Sequence, residues 1–89
     1  MRRGPCFTYI LCSDNRRAIY VGVTRDLSAR LDQHRAGRGS DYTRKYKVGT
    51  LVYFERHDTA PDAIAREKQI KGWKREKKVA LIEAANPEW

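Results

Sequence analysis

Five residues of this chain have types and spacings that suit work on a phosphate ester: Tyr9, Tyr20, Arg30, His34 and Glu67. A guanidinium such as that of Arg30 is a planar, permanent charge that can clamp a phosphate and stabilise the extra negative charge of a phosphoryl transition state. An imidazole can shuttle a proton or orient water, and a phenol hydroxyl can do either when its surroundings allow. Glu67 stands among Ala60, Ala63, Ile64 and Ile70 on one face of a helical stretch, so its carboxylate is aimed inward. An inward charge is costly unless it is paired, with Arg30 for example, or binds a metal ion. Each residue also has a plainer use. Tyrosines in a hairpin pack across strands, an arginine can lay its stem over a core and reach water, and a lone histidine is often a half-buried polar group.

The elements that must position these residues can be read from the pattern. Phe7 to Leu11 and Ile19 to Val23 read as two strands, joined by the turn-rich stretch Ser13-Asp14-Asn15-Arg16-Arg17, so Tyr9 and Tyr20 can share one face of a hairpin. Thr24-Arg25-Asp26 offers capping side chains for a helix from Leu27 to Ala36, closed by Gly37. Leu27, Arg30, Leu31 and His34 fall in one stripe of that helix. Arg38 to Lys47 reads as a loop in which Arg38, Arg44, Lys45 and Lys47 alternate with Tyr42 and Tyr46, a mixture suited to phosphates and bases. Thr50 to Glu55 is a third strand, and Thr59 caps a helix from Ala60 to Lys71 that stops at Gly72. A last helix from Lys74 to Ala85 is expected to bury Trp73, Ala80, Leu81 and Ala84 and to end before Pro87. The fold class that follows is α/β, with a three-stranded antiparallel sheet flanked by three helices.

With 89 residues the chain has room for one modest core, so a site must lie on the sheet surface or in a shallow groove. Lys and Arg number 19 against 11 acidic residues, a formal charge of +8, which calls for a polyanionic partner, nucleic acid before membrane. No apolar run approaches the roughly 20 residues that span a bilayer, and Met1 to Pro5 lacks a signal-like apolar core, so a soluble, cytoplasmic protein is expected. Cys6 and Cys12 lie on one strand, too far apart to bridge easily, and form no zinc pattern.

Thr8-Tyr9-Ile10, Tyr20-Val21-Gly22-Val23-Thr24, Arg30, His34 and Ala65-Arg66-Glu67-Lys68-Gln69-Ile70-Lys71, in this order, resemble the GIY-YIG nuclease domain over nearly the whole chain. The short length, that last run and the ending Asn86-Pro87-Glu88-Trp89 look most like the small stand-alone bacterial members, the YhbQ-like UPF0213 group. The sequence departs from the pattern at Thr8, where the name-giving glycine would stand, and at Val23, where many members carry a lysine. The resemblance implies a single nuclease-like domain over residues 5–89 that hydrolyses phosphodiester bonds in nucleic acid, DNA foremost, in a repair or recombination setting. It implies Mg2+ or Mn2+ held by Glu67, phosphate oxygens and water. Tyr20 would deprotonate or orient the attacking water with help from Tyr9 and His34, Arg30 would neutralise the scissile phosphate, and Asn86 is a further helper. Phenols have a reference pKa of about 10, so the role of Tyr20 requires that Arg30 and the metal favour the phenolate. So compact a nuclease could also need a protein partner for targeting. The alternative is a noncatalytic nucleic-acid-binding module of the same fold.

If Arg38, Arg44, Lys45 and Lys47 meet phosphates, neutralising two of them lowers the slope of log affinity against log salt by about two. Titrations of labelled nucleic acid at several salt concentrations measure it, and an unchanged slope places the phosphate contacts elsewhere.

Overall fold

The computed structural model describes residues 4–89; Met1, Arg2 and Arg3, part of the N-terminal stretch considered above, lie outside the described residues. Cys6–Ser13 forms β1, whose run of apolar and β-prone residues is that of a strand covered on both faces. It is the central strand. β2 (Ile19–Thr24) pairs antiparallel along one side and β3 (Val48–His57) along the other, in the order β2-β1-β3. In the hairpin Tyr9 faces Gly22 and Leu11 faces Tyr20, so the two tyrosines are diagonal neighbours on one face. On the β3 side Ile10 pairs with Tyr53 but Leu11 with Leu51, leaving Val52 as an extra residue. This bulge lets Val52 and Tyr53 pack into the same apolar layer.

The sheet carries one layer on each face. Ile10, Cys12, Val21 and Val52 pack with Ile70 of α3 (Ala60–Lys71) and Ile82 of α4 (Arg75–Ala85). On the other face Tyr9, Leu11 and Val48 meet Leu27 and Leu31 of α1 (Leu27–Arg35), as the stripe in that helix requires. Asp26 caps α1 by accepting from the Ala29 amide, and Gly37, with φ of 78°, ends it in the left-handed region that glycine adopts freely. Cys6 and Cys12 are buried free thiols. No helix among the described residues is long and apolar enough to cross a membrane.

The sheet and three helices match the sequence reading, with three differences inside it. Part of the expected loop Arg38 to Lys47 is a short helix, α2 (Asp41–Lys45), making four helices among the described residues. Its start is fixed by a capping box in which Ser40 and Thr43 exchange hydrogen bonds between side chain and backbone, a Thr standing where Glu or Gln is usual. Ile64 is 41% exposed, because α3 turns Ala63, Glu67 and Ile70 to the sheet and leaves Ile64 on its flank. In α4 Ala80 and Ala84 are exposed and Ile82 is fully buried, since the larger aliphatic group gains more from leaving water than the alanines do.

β3 and α3 are also tied by charge. Arg66 donates from Nε and Nη2 to Glu55 at 3.0 Å, the Tyr53 hydroxyl donates to the same carboxylate, and the guanidinium lies 5.1 Å from the Trp73 ring centre. Burial would raise the Glu55 carboxyl, but the bonds from Arg66 and Tyr53 outweigh it and hold it below its ordinary range. Burial and the neighbouring carboxylate push Tyr53 up to about 12. Removing one partner strands the other, so Arg66→Ala lowers folding stability by about 1–3 kcal/mol in urea denaturation. An unchanged midpoint would show that the pair is solvated.

Candidate active site

Tyr9 and Tyr20 come from the hairpin, His34 from the last turn of α1, Tyr42 from α2, and Glu67 and Lys71 from α3. The Tyr9 and Tyr20 ring centres are 6.3 Å apart, and the His34 ring lies 6.1 Å from the first and 5.3 Å from the second. The Tyr9 ring folds over its cross-strand partner Gly22. A Cβ there would stand 2.5 Å from the Tyr9 hydroxyl and 3.0 Å from the Tyr20 ring, so only glycine admits the pair.

His34 is only 4% exposed and both ring nitrogens are engaged. Nε2 lies 3.1 Å from the Tyr9 hydroxyl and Nδ1 2.9 Å from Thr43 Oγ1. Among the described residues the buried Tyr9 hydroxyl has no acceptor other than Nε2, so Tyr9 donates to Nε2 and the ring proton sits on Nδ1, donating to Thr43. Thr43 is held in turn by Ser40, whose amide donates to Thr43 Oγ1 at 3.2 Å. Gly39 makes room for the ring, because a Cβ there would lie 1.9 Å from His34 Nδ1.

Electrostatics agree with this arrangement. Burial, with Tyr20 and Glu67 adding to it and Arg30 opposing, raises the Tyr9 phenol well above its ordinary value, so it stays a neutral donor. Burial and the charge of Arg30 lower the His34 imidazole, which stays neutral and able to accept. No carboxylate pairs with Arg30 among the described residues. Glu67 does not meet Arg30; its Oε2 lies 2.9 Å from Lys71 Nζ, one turn further along α3. Lys71 also stands 5.9 Å from the Tyr20 ring centre, linking carboxylate to phenol.

Of the expected site residues, Tyr9, Tyr20 and His34 are thus in mutual contact, Glu67 joins through Lys71, and Arg30 acts on Tyr9 and His34 by its charge. Asn86 stands apart. Its amide donates to the Val52 carbonyl at 3.2 Å, in a groove along β3 with Tyr53 and Phe54, so the structure does not bring it together with the other expected site residues. The basic residues do not form one line either. Arg44 and Lys47 open on a cavity of about 340 Å³ beside His34, Arg38 lies in a neighbouring groove, and Lys45 stands over the ring of Tyr46. Arg44 is also paired with Asp41 at 3.0 Å.

Residues 5–80 match the family model described as the GIY-YIG catalytic domain. The chain belongs to that family. UPF0213 proteins of Staphylococcus aureus strains Mu3, Mu50 and N315 are each 40% identical over 77 residues, which is 85% of this chain and 92% of theirs. The solution structure of the UPF0213 protein from Bacillus halodurans superposes with a TM-score of 0.60 at 27% identity, covering 94% of this chain and 88% of that one. The GIY-YIG family is one of nucleases, and the chain falls with its small UPF0213 members.

Lys71, Gly39 and Thr43 were missed as parts of the site. Lys71 carries the helical i,i+4 spacing from Glu67, and Gly39-Ser40-Asp41-Tyr42-Thr43 carries a cap pattern, so both signals were present. The burial of Tyr9 has a consequence in alkali. A raised phenol adds stability that is complete below its unfolded value of about 10 and declines as pH rises through the native value. Comparing the ultraviolet phenolate titration of wild type with that of Tyr9→Phe therefore places the Tyr9 step above pH ~10, with stability falling over the same range. A Tyr9 step at or below the ordinary value would contradict its burial.

Proposed function

We propose that residues 5–89 act as a divalent-metal-dependent endonuclease, hydrolysing phosphodiester bonds in nucleic acid, DNA foremost, in repair or recombination. The observation that carries the reading is that Tyr20, Glu67 and Arg30, the last without a carboxylate partner among the described residues, all stand near enough to act on the Tyr9 phenol although they come from three different elements. The Tyr9 hydroxyl is committed to His34, whereas the Tyr20 hydroxyl has no partner among the described residues. Tyr20 therefore orients the attacking water and, entering the step as the phenolate, takes up its proton to become the neutral phenol, while Tyr9 and His34 hold the ring in place. Arg30 meets the scissile phosphate and opposes the charge that builds on it.

The donor set fits a hard cation. Among the described residues no group of three or more His, Cys, Asp or Glu gathers; Glu67 would be the one protein ligand, with phosphate and water filling the remaining places, an arrangement Mg2+ accepts. Glu67 Oε1 has no partner among the described residues, and Lys71, half exposed, can swing from Oε2. A bound Mg2+ or Mn2+ supplies positive charge at the scissile phosphate.

The test is cleavage of linear, nicked, flapped and branched DNA, and of RNA, with Mg2+ or Mn2+. Glu67→Gln keeps the shape and removes the charge, so cleavage falls by orders of magnitude while binding persists or tightens. Arg30→Ala loses cleavage and some binding. If the wild type cleaves nothing and Glu67→Gln only lowers stability, the protein is a noncatalytic nucleic-acid-binding module.

A further inference from the structure

Two tyrosine rings continue outward from the catalytic cluster without serving the core. Tyr42 lies near-parallel to Tyr20, at 30° and 6.2 Å between centres, and Tyr46 follows at 4.9 Å from Tyr42. They are 41% and 48% exposed, while Thr43 between them is the residue of α2 that is buried. Although Lys45 stands over Tyr46 and the two rings lean on each other, close to half of each stays in solvent and leaves aromatic area on which a further ring can stack.

They face a groove of about 290 Å³ between α2 and the β1–β2 turn, whose far wall carries Asn15 and Arg17. Asn15 commits its carbonyl oxygen to the Ser13 hydroxyl and the Arg17 amide, which leaves its NH2 group free among the described residues. The Arg17 guanidinium has no carboxylate partner among them. This wall is built rigidly. Arg75 of α4 donates to the carbonyls of both Arg16 and Arg17, Arg16 donates to the Glu88 carbonyl at 2.7 Å, and its guanidinium stands 5.3 Å from the Trp89 ring centre. Arg16 takes a φ of 61°, a left-handed turn residue held in place by these bonds.

A groove with π faces on one side and amide and guanidinium donors on the other matches a nucleotide whose base is exposed. In a continuous duplex each base face is covered by its neighbours and cannot reach such rings. We propose that this groove is a nucleotide subsite in which an unpaired base stacks on Tyr42 and Tyr46, with Arg17 and Asn15 reading its polar edge or flanking phosphate. The protein would then select nucleic acid carrying an unpaired nucleotide next to the scissile bond. That adjacency rests on the nuclease reading, whereas the capture of an unpaired base does not.

The test is equilibrium binding without divalent cation, using a blunt labelled DNA hairpin, the same hairpin with a short deoxyuridine tail, and one with a uridine tail. Wild type binds a tailed hairpin more tightly than the blunt one, and whichever tail binds better identifies the sugar. Tyr46→Ala, chosen because Tyr46 does not touch Tyr20, weakens that complex about five- to a hundredfold and leaves blunt binding within about twofold. Tyr46→Phe retains the preference, since the ring does the stacking. Equal binding of tailed and blunt hairpins, equal losses in both with Tyr46→Ala, or no binding at all would each overturn the subsite, whether or not the protein cleaves. A retained preference in a protein that cleaves nothing would overturn the nuclease reading and leave the subsite standing.

Discussion

The hydrogen bond from the Tyr9 hydroxyl to His34 Nε2 is the joint on which the site hangs. It crosses from the central strand to the first helix inside a layer that is otherwise apolar, so both groups must find each other or remain unpaired at a cost. Two glycines make the bond possible by what they lack. Gly22 lets the phenol lie down on its neighbouring strand, and Gly39 lets the imidazole lie against the chain entering α2. Because the Tyr9 hydroxyl has no other acceptor among the described residues, the tautomer is decided at the tyrosine, and Thr43, nine residues from the histidine, takes the proton of the far nitrogen. Charge agrees with geometry, because burial keeps both partners neutral.

Glu67 reaches this cluster by another route. α3 packs its Ile70 against one face of the sheet, while Tyr20 belongs to the layer on the other. The two layers meet at β2 because it is an edge strand, and Lys71 spans the gap between carboxylate and phenol. The same edge leaves Tyr20 partly open to solvent, whereas Tyr9 on the central strand is sealed beneath helices.

Much of this was legible in the residues. The alternation in the hairpin, the stripe through Leu27, Leu31 and His34, and the Thr59 and Asp26 caps each have a local physical cause, and the elements form where those causes put them. Glu67 was recognisable because a carboxylate among alanines and isoleucines needs an explanation. What escaped was decided by competition or by distance. Ala80 and Ala84 have the right period to be buried, but Ile82 wins the face of α4 because it carries more apolar area. Ile64 loses its place to the rotation of α3 that seats Ala63 and Ile70. The partner of Glu67 was legible in the i,i+4 spacing of Lys71, but an inward arginine on the neighbouring helix, Arg30, competed for the same reading. The contact of Asn86 with Val52 depends on how α4 docks, which no short window records.

The β1–β2 turn has one more property, and it concerns time. Its anchors lie at Arg75, Glu88 and Trp89, between 58 and 72 positions along the chain for the hydrogen bonds alone. Contacts of such separation close the largest loops and therefore form late, after local helices and the hairpin itself have appeared. During synthesis the hairpin leaves the ribosome before α4 and must wait for that helix before its tip is fastened. The early intermediate would thus present an already paired hairpin with a loose tip, and the groove beside Tyr42 and Tyr46 would be the last piece of surface to mature.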